Sequence, residues 1–250
     1  MSALQIVALV VCLVVTLTGI ALFVRVIRQF LAVFGLGQPD PTRTGEPGVR
    51  TVTLVREFLG HTRMSRLPVV AVAHWFTMIS FGILFFTLVN AFGQLVAPAW
   101  TLPLIGAFPP YEWVTEFFAW MGLVGIVVLM SIRQWIHPRG QAKPARSRFF
   151  GSTFWQAYFV ELVILGVTVC ILTLRALEYA LAASSGGAHA DALHFPLTGW
   201  LGQLFEGASA GSLENAIVVV AAVKIVISFT WMIVISLQPT MGVAWHRFLA

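Results

Sequence analysis

The sequence predicts an all-α membrane protein: a bundle of five transmembrane helices, N-terminus outside and C-terminus in the cytoplasm. Three observations carry this expectation. Charged residues make up only 10% of a chain that is 58% hydrophobic, whereas a soluble domain has about 25%. Five apolar runs approach the ~20 residues needed to cross a bilayer core. The basic residues gather in alternate connections, and that asymmetry orients a membrane chain.

The first span covers residues 3–24. No basic stretch precedes it, no clear cleavage site follows it, and Arg25 and Arg28 come directly after. It therefore reads as a retained helix and not a signal peptide. The second span covers residues 68–90 and opens on Pro68, whose missing N–H is harmless in a first helical turn. The third, fourth and fifth cover residues 113–132, 154–174 and 213–237. The chain ends on WHRFLA with no helix stop signal. The fifth helix is therefore expected to extend towards residue 250, and the 1–250 domain to continue into a further cytoplasmic part.

Orientation follows from the loops. The first connection holds Arg25, Arg28, Arg43, Arg50, Arg56, Arg63 and Arg66, and the third holds Arg133, Arg139, Lys143, Arg146 and Arg148. The second has no basic residue, and the fourth has only Arg175, at its edge. Positive loops stay inside, so the chain is expected to cross the membrane several times with the first and third connections and the C-terminus in the cytoplasm. Basic residues placed beside apolar spans mark topology, and no nucleic-acid partner is expected. Residues 91–112, with Trp100 and Tyr111, read as a lid on the membrane surface. Residues 183–211 begin as a flexible stretch and end in a candidate interfacial helix.

The two cysteines, Cys12 and Cys170, lie in apolar runs, and no CxxC is present. They read as small buried hydrophobes. This chain alone cannot hold a four-cysteine iron–sulfur cluster or a structural zinc.

Ionisable side chains at membrane depth are costly and mark candidate sites. They are His74, Glu161 and Lys224, joined by His246 if the fifth helix extends past Pro239. A lone membrane histidine is either a hydrogen-bonded core residue or a metal ligand. Paired imidazoles on facing helices make a low-spin haem centre. His74 lies about 9 Å into its span at 1.5 Å per residue, at the same end as His246. His61 and His137 are rival partners at that membrane edge. Glu161 and Lys224 lie at depths that differ by roughly 8 Å, which fits a buried ion pair. Functionally, Lys224 could bond a quinone carbonyl and Glu161 could deliver its proton.

The stretches AVAHWFTMISFGILFF and VISLQPTMGVAWHRF, on the second and fifth spans, resemble the cytochrome b (gamma) subunit of respiratory nitrate reductase. The family includes the heterodisulfide reductase membrane subunit. The likeness is greatest to the membrane domain of actinobacterial fused iron–sulfur reductases, of the electron-transfer flavoprotein:menaquinone oxidoreductase type. It covers essentially the whole chain, in pattern more than in identity. It implies haem b ligated by His74 and His246, menaquinone as acceptor, and a cytoplasmic iron–sulfur domain or subunit carrying 4Fe–4S clusters. Electron-transfer flavoprotein is the implied donor. Arg63 and Arg66 are the implied contacts of the haem propionates.

Family members carry a second, deeper haem, whose ligands fall here on Leu84 and near Ile227 and Ser228. Both ligands are missing together, so one haem is expected. Two other classes remain open: a non-redox anchor with structural histidines, and a small transporter using Glu161 and Lys224. The transporter class expects a span broken at mid-membrane.

Overall fold

The computed structural model describes residues 1–38, 40, 42, 45–60, 64, 66–136, 154–186 and 189–249. Among them are nine α-helices and no strand. The helices are α1 (Ala3–Phe34), α2 (Pro47–Gly60), α3 (Pro68–Ile83), α4 (Phe85–Val96) and α5 (Pro109–Ile136). They continue as α6 (Phe154–Ser184), the single turn α7 (Gly199–Gly202), α8 (Ala210–Leu237) and α9 (Gly242–Leu249). Helices α1, α5, α6 and α8 are each long and apolar enough to cross a membrane. Together α3 and α4 form a fifth candidate span, bent by 43°.

That bend divides the single span expected at residues 68–90 into two helices. No proline causes it. The Thr87 N–H and hydroxyl both donate to the Leu84 carbonyl, at 3.0 and 2.5 Å. The Lys224 ammonium then takes the Thr87 carbonyl from the side. Polar side chains inserted into a helical ladder are a recognised cause of kinks.

The expected continuous extension of the fifth helix is also corrected. Pro239 disfavours helical backbone at the residue before it, and Gln238 has φ −124° and ψ 71°. α8 stops at Leu237, and a separate helix, α9, starts at Gly242.

Other helices outrun their predicted ends, α1 to Phe34 and α6 to Ser184. Arg25 and Arg175 lie inside helices because a charge does not stop a helix with satisfied backbone bonds. The first connection contains α2, which the sequence reading left as loop. Its end is held by Trp75, whose indole N–H donates to the Leu59 carbonyl at 2.7 Å.

α8 packs against α1, α4 and α6, while α5 bridges α6 and α3. α1 approaches α8 through Ala8, Cys12, Thr16 and Gly19, a spacing of small residues suited to close helix contact. Its opposite side exposes Val7, Val10, Val14 and Leu17, as a lipid-facing surface requires. α3 is pressed onto α5 at Gly125, where an added Cβ would stand 2.7 Å from the Ala73 carbonyl. That contact fixes the residue next to His74.

The bundle has two chemically different ends. At one, the N-terminus meets α4 through Gln5, whose amide donates to the Val96 carbonyl. The turns at residues 97–108 and 185–209 lie at this end. At the other, α9 docks beside the far part of α1 and the end of α8.

Candidate functional site

α9 is held by Trp245, which is 1% exposed. Its indole N–H donates to the Ile235 carbonyl at 3.1 Å, which also accepts from the Gln238 N–H at the end of α8. The indole stacks on Phe23, with ring centres 5.9 Å apart, and meets Phe30 edge-on at 4.9 Å. The next residue is His246. Its ring stands 6.2 Å from that of His74, centre to centre, at an interplanar angle of 69°.

This spacing fits a metal held between two imidazoles. With each metal–nitrogen bond at about 2 Å, the ring centres fall roughly 6 Å apart. His246 Nδ1 donates to the Val243 carbonyl at 2.9 Å. That bond assigns the proton to Nδ1 and leaves Nε2 unprotonated, the tautomer in which a histidine can bind a metal through Nε2. His74 is half-buried and His246 exposed. The residues thus fit a bis-histidine haem. Arg66 is exposed, just ahead of α3. Arg63, His61 and His137 lie outside the described residues.

Leu84, at the position where a second histidine would serve a deeper haem, is 6% exposed and packs with Ala119, Ile171 and Leu172. Ser228 donates to the Lys224 carbonyl in its own helix. Neither place offers an imidazole.

The structure separates Glu161 from Lys224, which corrects the expected ion pair. Glu161 Oε1 accepts from Arg133 Nε at 2.7 Å. Lys224 is 1% exposed and donates to the carbonyl and hydroxyl of Thr87, 2.7 Å each. Each ion found a nearer partner: Arg133 in the last turn of α5, and the oxygens beside the bend.

Lys224 faces a cavity of about 40 Å³ shared by Thr87, Gln94, Tyr111, Glu112 and Glu178. That volume suits two or three water molecules and not a quinone ring.

Beyond it lies a buried charge network that the sequence reading missed. Arg175 pairs with Glu116 at 3.0 Å, Glu178 at 2.9 Å and Glu112 at 3.5 Å. It also donates to the His194 carbonyl and lies over the Phe195 ring at 4.1 Å. Glu178 accepts from Gln94 at 2.6 Å. Glu116 accepts from Leu197 N–H at 2.7 Å and from the Thr198 hydroxyl at 2.5 Å. Glu112 contacts His194 Nδ1 at 2.7 Å, and His194 Nε2 lies 3.1 Å from His189 Nδ1. The signal was present as Glu112 and Glu116, four apart, and Arg175 and Glu178, three apart. Such spacings share a helix face. Starting the third span at residue 113 and ending the fourth at 174 placed Glu112, Arg175 and Glu178 in connections and left Glu116 alone inside a span.

Among the described residues, no group of three or more His, Cys, Asp or Glu side chains is arranged to hold a metal ion. Comparison with protein-family models, curated proteins and solved structures gave no match.

Proposed function

We propose that this chain is the membrane domain of a quinone-linked oxidoreductase: a cytochrome b passing electrons from a cytoplasmic iron–sulfur or flavoprotein donor to menaquinone. The juxtaposition of His74 and His246 carries this reading. Haem b, when bound, supplies one-electron transfer at a potential set by its axial ligands and burial. His74 and His246 would hold the haem iron, and the Val243 carbonyl fixes the tautomer of His246. Trp245 sets the depth of α9, and Gly125 sets that of α3. One haem is assigned because the Leu84 neighbourhood is packed with aliphatic side chains.

The orientation proposed places the His74–His246 end in the cytoplasm, with Arg25, Arg28 and Arg66 as positive-inside anchors. Arg63 and Arg66 are assigned to the propionates. The 4Fe–4S clusters belong to a partner or to a further part of the protein, since two buried cysteines cannot hold one. Lys224 handles protons in its cavity. Glu161, held by Arg133, serves the quinone near the haem end.

A reduced-minus-oxidised visible spectrum of the purified chain tests the reading. The expected result is a haem b band that both His74→Ala and His246→Ala remove. Absence of the band from the wild-type chain would end the cytochrome assignment.

A small transporter is the second reading, favoured by the 43° break between α3 and α4, since broken spans line transporter sites. In that case Lys224 at the break carries the function, without Glu161. Substrate uptake into vesicles by a haem-free chain would select it.

A further inference from the structure

We infer that the histidine–glutamate network opposite the haem-ligand pair is a proton relay. It connects the solvent at the 189–209 turns with the half-open cavity beside Lys224. Three features on this chain carry the inference.

The first is continuity. His189 is exposed, and His194 is 8% exposed. The contacts run His189 Nδ1 to His194 Nε2 at 3.1 Å, then His194 Nδ1 to Glu112 Oε2 at 2.7 Å. Glu112 lines the cavity, as do Glu178, Gln94 and Lys224. Every step is within hydrogen-bond reach, the geometric requirement for proton transfer.

The second is polarity. Both nitrogens of His194 are engaged, one by an imidazole and one by a carboxylate. With Nδ1–H directed to Glu112, Nε2 is the acceptor for His189 Nδ1–H. A proton added to His189 Nε2 releases the Nδ1 proton to His194 Nε2. His194 then passes its own Nδ1 proton to Glu112 Oε2. One proton enters, one reaches the cavity wall, and no electron moves.

The third is charge. Glu112, Glu116 and Glu178 all converge on Arg175. That is more carboxylate than one guanidinium neutralises in a low-dielectric interior, where an unpaired charge is costly. A mobile proton on the His189–His194–Glu112 chain cancels it. The other ionisable groups packed around this chain are Asp191, whose carboxylate caps the N–H groups of Leu193 and His194, and Tyr111 on α5. Gln94 adds a buried carbonyl oxygen, Oε1, with no protein donor. It is the acceptor that cavity water needs to carry the path from Glu112 towards Lys224.

The relay ends in the Lys224 cavity, away from the quinone proposed at the haem end, and it stands as a structure without that reaction. Its test therefore uses neither haem nor quinone. The full chain, labelled with 15N-histidine, is placed in lipid nanodiscs, and the exchange of the His194 ring protons with solvent is measured. His189→Ala is expected to slow that exchange by about a hundredfold, the scale of a positioned acid–base group. Free imidazole is expected to restore it. Glu112→Gln is expected to slow the exchange of the His194 Nδ1 proton, which faces that carboxylate. Unchanged exchange in His189→Ala, or in Glu112→Gln, would overturn the relay. A chain with intact relay behaviour and no haem band would sink the cytochrome reading alone.

Discussion

The ammonium of Lys224 and the backbone carbonyl of Thr87 are joined across two helices, one turn beyond the bend in the α3–α4 span. The same ammonium takes the Thr87 hydroxyl, so one cation from α8 meets two oxygens that the kink presents. Lys224→Met should remove this bracket while keeping the apolar volume. Loss of a charge-assisted contact of this kind costs on the order of 2 kcal/mol. Thermal unfolding in detergent should show the decrease, and the haem band should persist, because the ligand pair lies at the other end. A stabilised variant would refute the bracket.

Gly125 governs His74 through backbone contact. Gly125→Val places a branched side chain where a single Cβ already stands 2.7 Å from the Ala73 carbonyl. α3 must shift, and haem affinity should fall on the order of tenfold, as it does for other second-shell changes at metal sites. Gly48→Ala, where an added Cβ meets nothing within 4 Å, is the control. Equal haem content in the two variants would refute the dependence.

Trp245 should matter as much to cofactor retention as a ligand does. Trp245→Ala removes a buried ring at a cost of about 3–5 kcal/mol, and the loss falls on the docking of α9. Haem titration should show weak binding although both histidines remain. Trp245→Phe keeps the ring stack and loses only the indole bond to the Ile235 carbonyl, which retains the Gln238 N–H, so its defect should be smaller. The order Ala worse than Phe is the quantity to check.

Arg175 is the hub of its network. Arg175→Met leaves three carboxylates facing one distant cation, and breaking a buried ion pair from one side costs about 3–5 kcal/mol. Arg175→Lys should recover little, because one ammonium cannot span the oxygens of Glu112, Glu116, Glu178 and His194 as a planar guanidinium does. Denaturation of the purified variants gives the ranking, and a fully restored lysine variant would contradict it.

The spans were legible because lipid leaves a strong compositional mark, and Pro68 marked the start of α3 accurately. The juxtaposition of His74 and His246 was also legible, since both apolar stretches put a histidine at the same end. The bend at Leu84 was not. It arises from Thr87 and from Lys224, which lies far away in sequence, and no local pattern records that pairing. Glu161 shows the same limit. Depth counted from the expected span ends made Lys224 a plausible partner, but Gly166 packs against Ile227, which sets Glu161 and Lys224 at different levels of α6 and α8 and leaves Glu161 to Arg133. The Arg175 network was hidden because a bundle can carry charge inside its helices when four acceptors converge on one guanidinium.

The two ends of the bundle make the proposed chemistry sensitive to voltage. Electrons enter beside His74 and His246, and protons enter beside His189, at the opposite end. If both meet at one quinone, each turnover moves net charge across the dielectric and is electrogenic. Every elementary charge that crosses 100 mV exchanges about 2.3 kcal/mol with the field. The membrane potential then becomes a thermodynamic term of the reaction, set by which end of the fold each carrier uses.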